Sequence, residues 1–143
     1  MTFGMEFHDS RLLDFRCESD GNGFALFDGY VYRSEGQVFE DAQESGWQNV
    51  RFLFSGMRME GEIGEVGVFA SDGKLWVGGA DGNGTILLPA HYSSDICMEL
   101  TLAPTFDTVK IHASQVTSAF EGVFELETIW DAAGNKVGRG SSD

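Results

Sequence analysis

Three residue types that serve in nucleophilic catalysis stand together near the N-terminus, as His8, Asp9 and Ser10. A catalytic triad requires the imidazole to lie between the hydroxyl and the carboxylate. Successive side chains of an extended chain point to opposite faces, so we do not expect His8 and Asp9 to pair as base and orienting acid. We predict instead that Asp9 or Ser10 closes a turn through its side chain.

The sequence Asp-Gly-Asn-Gly occurs twice, at residues 20–23 and 81–84, and is similar to the middle of an EF-hand calcium loop. That loop needs an acidic first ligand and a bidentate glutamate at its twelfth position. The copy at 81–84 places Gly79 first and Ala90 twelfth, and the copy at 20–23 places Gly29 twelfth. Strand-like residues flank both copies, so each predicts a β-turn rather than a calcium site.

The other residues that bind metals or carry catalysis are too scattered to define a site. His8, His91 and His112 lack the paired spacing that lets two imidazoles share one face of an element. The sequence also contains no nucleophile elbow, phosphate loop or dinucleotide fingerprint. We therefore predict no metal, no cofactor and no catalytic residue, which favours a protein that is not an enzyme.

Alternation of apolar and polar residues, the pattern of half-buried strands, recurs along the chain. It is clearest in Ile96, Met98, Leu100 and Leu102, and it is also present in residues 13–18. No segment has apolar residues at helical spacing. The pattern predicts an all-β fold, an antiparallel β-sandwich or open barrel of about eight to ten short strands with little or no helix.

Turn-forming and acidic residues predict the connections between these strands. Asp72-Gly73 is predicted to turn between strands at Val66–Phe69 and Leu75–Val77. The segment Ser34–Gly46 has many acidic residues and little periodicity, so we predict an acidic loop followed by a strand that Trp47 opens.

The last strand is predicted over residues 120–130, with an apolar face and an acidic face. The apolar face holds Phe120, Phe124, Leu126 and Trp130, and the acidic face holds Glu121, Glu125 and Glu127.

The length of 143 residues predicts one domain, here residues 1–137, followed by a flexible tail at 138–143. No apolar run resembles a signal peptide or a membrane helix, so we expect a cytoplasmic protein without membrane contact. Cys17 and Cys97 are then expected to be buried, reduced thiols.

The net charge of −14 arises from 23 acidic and 9 basic residues. Such a surface repels nucleic-acid phosphates and anionic membranes, so we predict neither as a partner. Acidity of this kind is common in soluble bacterial proteins, but it also suits a basic protein partner. The candidate binding residues are His8, Asp9, Trp47, Glu40, Asp41, Glu44, Glu121, Glu125 and Glu127.

The N-terminal residues Phe7-His8-Asp9-Ser10, followed by a strand, an acidic turn and Tyr30–Ser34, resemble a group of short bacterial proteins of uncharacterised function with an F-H-D-S-type motif. Similar landmarks follow at Gly46–Gln48, Asp72–Leu75 and Ile86–Pro89, so the resemblance spans most of residues 5–130. Some proteins with a similar His-Asp motif are immunity proteins of bacterial toxin systems. The resemblance implies a small β-domain that binds rather than catalyses, and it makes His8 and Asp9 positions to test.

The leading hypothesis from the sequence is a non-catalytic domain that binds a basic protein, with an immunity-type inhibitor as one form. A second hypothesis is a small-molecule binder or enzyme that uses a cavity inside a β-barrel, lined by aromatic residues. A third is a structural domain that forms oligomers, such as a homodimer, through an edge strand.

Overall fold

The computed structural model describes residues 1–38, 41, 43–79, 84–131 and 133–139. Residue 139 is described by its backbone alone. Within these ranges the chain forms eleven β-strands and no helix, which confirms the predicted all-β fold. The described residues thus contain no helix that could cross a membrane. The strands are β1 (Thr2–Cys17), β2 (Gly23–Ser34), β3 (Gln43–Ser55), β4 (Arg58–Glu60), β5 (Val68–Val77), β6 (Thr85–Leu88), β7 (His91–Tyr92), β8 (Ile96–Leu102), β9 (Asp107–Ala113), β10 (Gln115–Trp130) and β11 (Lys136–Arg139).

All strand pairings are antiparallel and follow the order β11-β10-β3-β2-β1-β5-β8-β9-β4. The two longest strands, β1 and β10, have 16 residues each, so not all strands are short as predicted. Their length lets each serve two partners in succession along one edge. β1 pairs first with β6 and then with β5, and β10 pairs first with β7 and then with β11.

The core lies between the two halves of this strand path and is built largely from alternate residues of β1, β2, β3, β5, β8 and β9. The rings of Phe7, Phe27 and Phe52, on β1, β2 and β3, pack with centroids 5.8 to 6.0 Å apart. Met98 and Leu100 of β8 enter the same cluster from the other half and are fully buried. The predicted alternation on β8 is confirmed, since all four of its apolar residues are buried.

Asp72 and Gly73 do not form the predicted turn, because β5 continues through them to Val77. A register shift between Ala70 and Asp72 accommodates an extra residue in β5. Gly73 is buried against β1, where an added Cβ would lie 2.6 Å from the Cβ of Phe7. Glycine is therefore required here for the close approach of two strands.

Residues 20–23 join β1 and β2 in the predicted hairpin. The N–H of Glu18 donates to the carbonyl of Asn22 at 2.8 Å, which closes the turn. The Asp20 carboxylate accepts the backbone N–H of Asn22 at 2.9 Å and its side-chain amide at 3.2 Å. The turn itself thus uses this carboxylate, as the β-turn prediction implies; residues 81–83 of the second copy lie outside the described residues.

Strand boundaries differ from the predictions at several places. β1 begins at Thr2 and β10 at Gln115, before the strands predicted at residues 13–18 and 120–130, and the last strand is β11 rather than the one predicted at 120–130. β3 begins at Gln43 rather than at Trp47, so Glu44 belongs to a strand and not to the acidic loop. β11 includes Gly138 and residue 139, which the sequence assigns to a flexible tail, and residues 140–143 lie outside the described residues.

Both cysteines are free, and the expectation that both are buried is wrong for Cys17. Cys17 is the last residue of β1, where the hairpin with β2 extends beyond the core and the neighbouring residues are exposed. Cys97 on β8 is half-buried, and this burial raises the pKa of its thiol.

Candidate functional site

One face of the sheet formed by β1, β2, β3 and β10 points away from the core, and we call it the outer face. Directly opposite residues of antiparallel strands share a face. Glu6 of β1 lies opposite Tyr30 of β2, Tyr30 lies opposite Trp47 of β3, and Trp47 lies opposite Glu125 of β10. Two aromatic residues thus stand between two acidic residues in one row across four strands.

β10 departs from regular pairing with β3 twice near this row, between Glu121 and Glu125 and again just after Leu126. Buried Gln48 holds the first irregularity by donating its side-chain amide to the carbonyl oxygen of Glu121 at 2.7 Å. The second leaves Glu127 without a partner residue on β3. Bulges of this kind redirect side chains, and Glu127 here points toward the aromatic row.

The Glu127 carboxylate is held by two uncharged donors on neighbouring strands. The indole N–H of Trp47 donates to Oε2 at 3.0 Å, and the hydroxyl of Tyr30 donates to Oε1 at 3.2 Å. The rings of Tyr30 and Trp47 meet edge to face, with centroids 5.1 Å apart. Each contact restricts the others, so the carboxylate is fixed in direction.

A second carboxylate on the same face is held in the same way. The hydroxyl of Tyr32 donates to Oε1 of Glu6 at 2.9 Å. The rings of Tyr32 and Tyr30 are edge to face at 5.3 Å, which joins the two carboxylates into one group. We call Glu6, Tyr30, Tyr32, Trp47 and Glu127 the aromatic–carboxylate cluster.

Trp130 lies beside this cluster and not on the predicted apolar face with Phe120. Its indole N–H donates to the hydroxyl of Ser45 at 2.7 Å, and Ser45 also bonds the hydroxyl of Tyr30 at 2.8 Å. The two irregularities make β10 three residues longer than β3 over this stretch. An odd excess exchanges the faces, which strict alternation does not anticipate.

The two carboxylates of the cluster lack a basic partner in the part of the chain that the structure describes. Within the described residues, no Lys, Arg or His lies within ion-pair distance of Glu6 or Glu127. Burial raises the pKa of Tyr30 and, more strongly, that of Tyr32, and the neighbouring carboxylates raise both further. The hydroxyls therefore stay protonated and serve as donors to the carboxylates.

More negative charge lies next to the cluster. Burial raises the pKa of Asp28 on β2, and the charge of Glu125 across the outer face raises it as well. Arg11 acts in the opposite direction on Asp28. Asp28 and Glu125 thus repel each other at an edge of the cluster.

Two of the glutamates predicted for binding form ion pairs with arginine residues. Arg51 binds the carboxylate of Glu121, which lowers the pKa of Glu121. Arg33 pairs with Glu44 at 3.0 Å, and its guanidinium lies 4.1 Å from the ring centroid of Phe124. Glu121 does share the outer face with Glu125 and Glu127, as predicted, but its charge is compensated.

The acidic loop before β3 contributes one described acidic residue from the predicted pair Glu40 and Asp41. The Asp41 carboxylate accepts the backbone N–H of Gln37, and its own N–H donates to the carbonyl of Gln37 at 2.9 Å. Asp41 thus closes a local turn. Glu40 lies outside the described residues.

His8 and Asp9 do contact each other, contrary to the expectation from strand alternation. Asp9 has a positive φ of 64°, which interrupts the extended chain and brings its carboxylate 3.2 Å from His8 Nε2. His8 Nδ1 donates to the carbonyl of Ser71 on β5 at 2.6 Å. Nδ1 is thus used in a hydrogen bond to the backbone of β5, and Nε2 lies beside the carboxylate of the next residue.

Ser10 closes the turn as predicted, because its buried hydroxyl donates to the carbonyl of Phe7 at 2.6 Å. The pairing of β1 with β6 ends at Glu6 and its pairing with β5 begins at Arg11. Residues 7–10 therefore occupy the junction where β1 changes partners. Their contacts are consistent with a structural role at this junction between the two halves of the fold.

The three histidines lie on different strands and have different neighbours. His91 on β7 pairs with Thr117, and His112 on β9 lies 3.1 Å from the Glu60 carboxylate, without hydrogen-bond geometry. In the described ranges of the chain, no three His, Cys, Asp or Glu residues gather in a metal-binding arrangement.

Trp47 and Glu127 are among the residues predicted for binding, whereas Glu6, Tyr30 and Tyr32 are not. The alternation Tyr30-Val31-Tyr32 was the available indication, since it places two tyrosines on the face opposite a buried valine. What the sequence does not contain is the register that sets Tyr30 against Trp47.

Comparison of the chain with protein-family models, with curated proteins and with solved structures gives no significant match.

Proposed function

We propose that this protein is a non-catalytic binding domain that recognises a basic protein partner through the aromatic–carboxylate cluster. The observation that carries the proposal is the set of hydrogen bonds that orients the carboxylates of Glu6 and Glu127. Both carboxylates are oriented by neutral hydroxyl and indole donors, and neither has a basic neighbour among the described residues. Fixed, uncompensated negative charge beside aromatic rings suits an arginine or lysine side chain.

The composition of the cluster agrees with what protein interfaces use for affinity. Tyrosine, tryptophan and arginine dominate binding hot spots, and rigid aromatic residues lose little conformational entropy on binding. Tyr30, Tyr32 and Trp47 are half-buried and held by ring contacts, so they present a preorganised surface. The net charge of −14 would speed encounter with a basic partner over a longer range.

An inhibitor of the immunity type is the form of this function that the N-terminal resemblance favours. The cluster, rather than His8 and Asp9, is the surface that we propose for the partner. Occlusion of a basic active site would need only shape and charge complementarity between the two proteins.

The proposal is tested by capture of partners from a lysate of the source organism on the immobilised chain. We expect a basic protein that binds the wild type and is lost with the Glu6→Gln/Glu127→Gln variant. The matched control is Glu18→Gln/Asp95→Asn, which removes two exposed charges outside the outer face and should retain the partner. Equal capture by both variants, or capture of no basic protein, contradicts the proposal.

A further inference from the structure

The aromatic–carboxylate cluster has the carboxylates and rings of an arginine site, and the described part of the chain places no arginine within ion-pair distance of its carboxylates. We infer that the group this cluster takes from its partner is the guanidinium of an arginine side chain rather than the ammonium of a lysine. The inference rests on the proposed function and specifies the chemistry of the partner.

The chain contains such a site in complete form on the same outer face. Arg51 of β3 donates to both carboxylate oxygens of Glu121, to one through Nε and to the other through Nη2 at 3.3 Å. Its guanidinium carbon also lies 4.4 Å from the ring centroid of Phe24 on β2. One guanidinium thus binds a carboxylate as a fork and lies over an aromatic ring at the same time.

A second complete site has the same three components. Arg33 of β2 lies opposite Glu44 of β3, and its Nε donates to Oε1 of that glutamate at 3.0 Å. The guanidinium carbon of Arg33 lies 4.1 Å from the ring centroid of Phe124 on β10. In both sites the carboxylate comes from a neighbouring strand, and the cation is an arginine.

The lysine contacts of the chain are of a different kind. Lys110 lies 3.8 Å from the carboxylate of Glu99, and Lys136 lies 5.4 Å from the ring centroid of Trp130. Among the described residues, no lysine contacts a carboxylate and an aromatic ring together. An ammonium is a compact point charge, whereas a planar guanidinium matches a carboxylate and a ring at once.

The carboxylates of the cluster retain acceptor capacity for a guanidinium. An ionised carboxylate has roughly four acceptor positions. Glu127 uses two of them, for Trp47 and Tyr30, and Glu6 uses one, for Tyr32. Because these donors are uncharged, they orient each carboxylate without cancelling its charge.

The rings of the cluster provide faces over which a guanidinium can lie. Tyr30 contacts Tyr32 and Trp47 edge to face, with centroids 5.3 and 5.1 Å apart. Such a contact covers one face of only one of its two rings, so two contacts do not cover the faces of all three rings. All three side chains are half-buried, so part of each reaches solvent. The cluster thus offers both components that Arg51 and Arg33 use.

The experiment titrates the full chain, labelled with ¹⁵N, with capped tripeptides that differ only in the central residue, which is arginine, lysine or citrulline. Citrulline replaces the guanidinium by an uncharged urea of similar shape. The indole N–H resonance of Trp47, assigned with the Trp47→Phe variant, reports binding at the cluster. We expect the arginine peptide to shift this resonance saturably, with a Kd at least about threefold lower than that of the lysine peptide. The citrulline peptide should leave it unmoved.

Variants locate the binding. The arginine peptide should bind Glu6→Gln/Glu127→Gln at least about tenfold more weakly than the wild type, and should bind the control Glu18→Gln/Asp95→Asn as the wild type does. Equal Kd values for the arginine and lysine peptides overturn the inference and leave the proposed function standing. An arginine peptide that does not bind, or that binds Glu6→Gln/Glu127→Gln unchanged, also overturns it. Failure of the proposed function is read separately, from the capture of partners, because that result does not depend on which basic residue is recognised.

Discussion

The indole N–H of Trp47 and the carboxylate of Glu127 lie 3.0 Å apart, although 80 residues separate them in the chain. The contact requires β10 to lie beside β3 with a bulge after Leu126. It fixes a carboxylate that has no basic partner among the described residues, on a face crossed by aromatic rings. This relationship is the basis of the proposed binding surface.

The hydroxyl of Tyr30 contacts both Glu127 and Ser45, and these two contacts shift its pKa in opposite directions. Burial is the main cause of the raised pKa; Glu127 raises it further, whereas the Ser45 hydroxyl lowers it. We expect Glu127→Gln to lower this pKa and Ser45→Ala to raise it, as measured by ¹³C NMR titration of labelled tyrosine.

The raised pKa of Tyr30 also makes folding stability depend on pH. Tyr30 ionises at a lower pH in the unfolded chain than in the folded protein. The contribution of Tyr30 to stability is therefore present below the ordinary tyrosine pKa and is lost as the pH rises through the higher, folded-state pKa. Shifts of the same sign in both variants contradict the assigned hydrogen bonds.

The N-terminal motif is expected to act through stability. Ser10→Ala leaves the buried carbonyl of Phe7 without its donor and should lower the free energy of unfolding by about 1 kcal/mol. Asp9→Gly relieves a positive φ and should raise this free energy by up to about 1 kcal/mol.

Denaturant unfolding measures both effects of the motif. Ser114→Ala, which removes an exposed serine–carbonyl bond, is the control and should change stability by less than about 0.5 kcal/mol. A loss of stability in Asp9→Gly would mean that the contact of the carboxylate with His8 outweighs the strain.

The close approach of β5 to β1 predicts a large effect of one methyl group. In Gly73→Ala the new Cβ would lie 2.6 Å from Phe7 Cβ, so strands must separate, at a cost of about 1–3 kcal/mol. Gly64→Ala, where no atom lies within 4 Å of the added Cβ, is the matched control. Equal unfolding midpoints for the two variants would refute the tight packing.

Asp28 provides a pH test of the charge on the outer face. Burial and Glu125 raise its pKa, so its contribution to stability is greatest below the ordinary pKa of aspartate and is lost as the pH rises through the higher value. Glu125→Gln should lower the pKa of Asp28 and raise stability at neutral pH. The carboxyl ¹³C chemical shift of Asp28 measures the pKa, with Glu18→Gln, a distant charge change, as the control that leaves it unmoved.

Much of the fold is predictable because its strands obey a period of two. The alternation on β8, the hairpin at residues 20–23 and the end of β6 before Pro89 follow from local patterns. The continuous β5 does not, because Asp72-Gly73 has turn composition, and only the presence of Phe7 across the sheet explains its glycine.

The candidate site is less accessible to prediction than the fold, because it depends on register. Tyr30, Trp47 and Glu127 meet through strand pairings over long sequence separations, and the bulges in β10 have no local signature strong enough to place them. The same bulges move Trp130 to the outer face. The contact between His8 and Asp9 was not predicted for a related reason. Strand alternation assumes extended backbone throughout, and Asp9 has a positive φ.

The proposed partner site is tested most directly by the affinity of the captured basic protein for the wild type and for Glu6→Gln/Glu127→Gln, measured by calorimetric titration at low and high salt. We predict that the variant raises Kd by at least about tenfold at low salt and that its Kd depends less on salt. An unchanged Kd, or an equal loss in Glu18→Gln/Asp95→Asn, would contradict a partner site at the aromatic–carboxylate cluster.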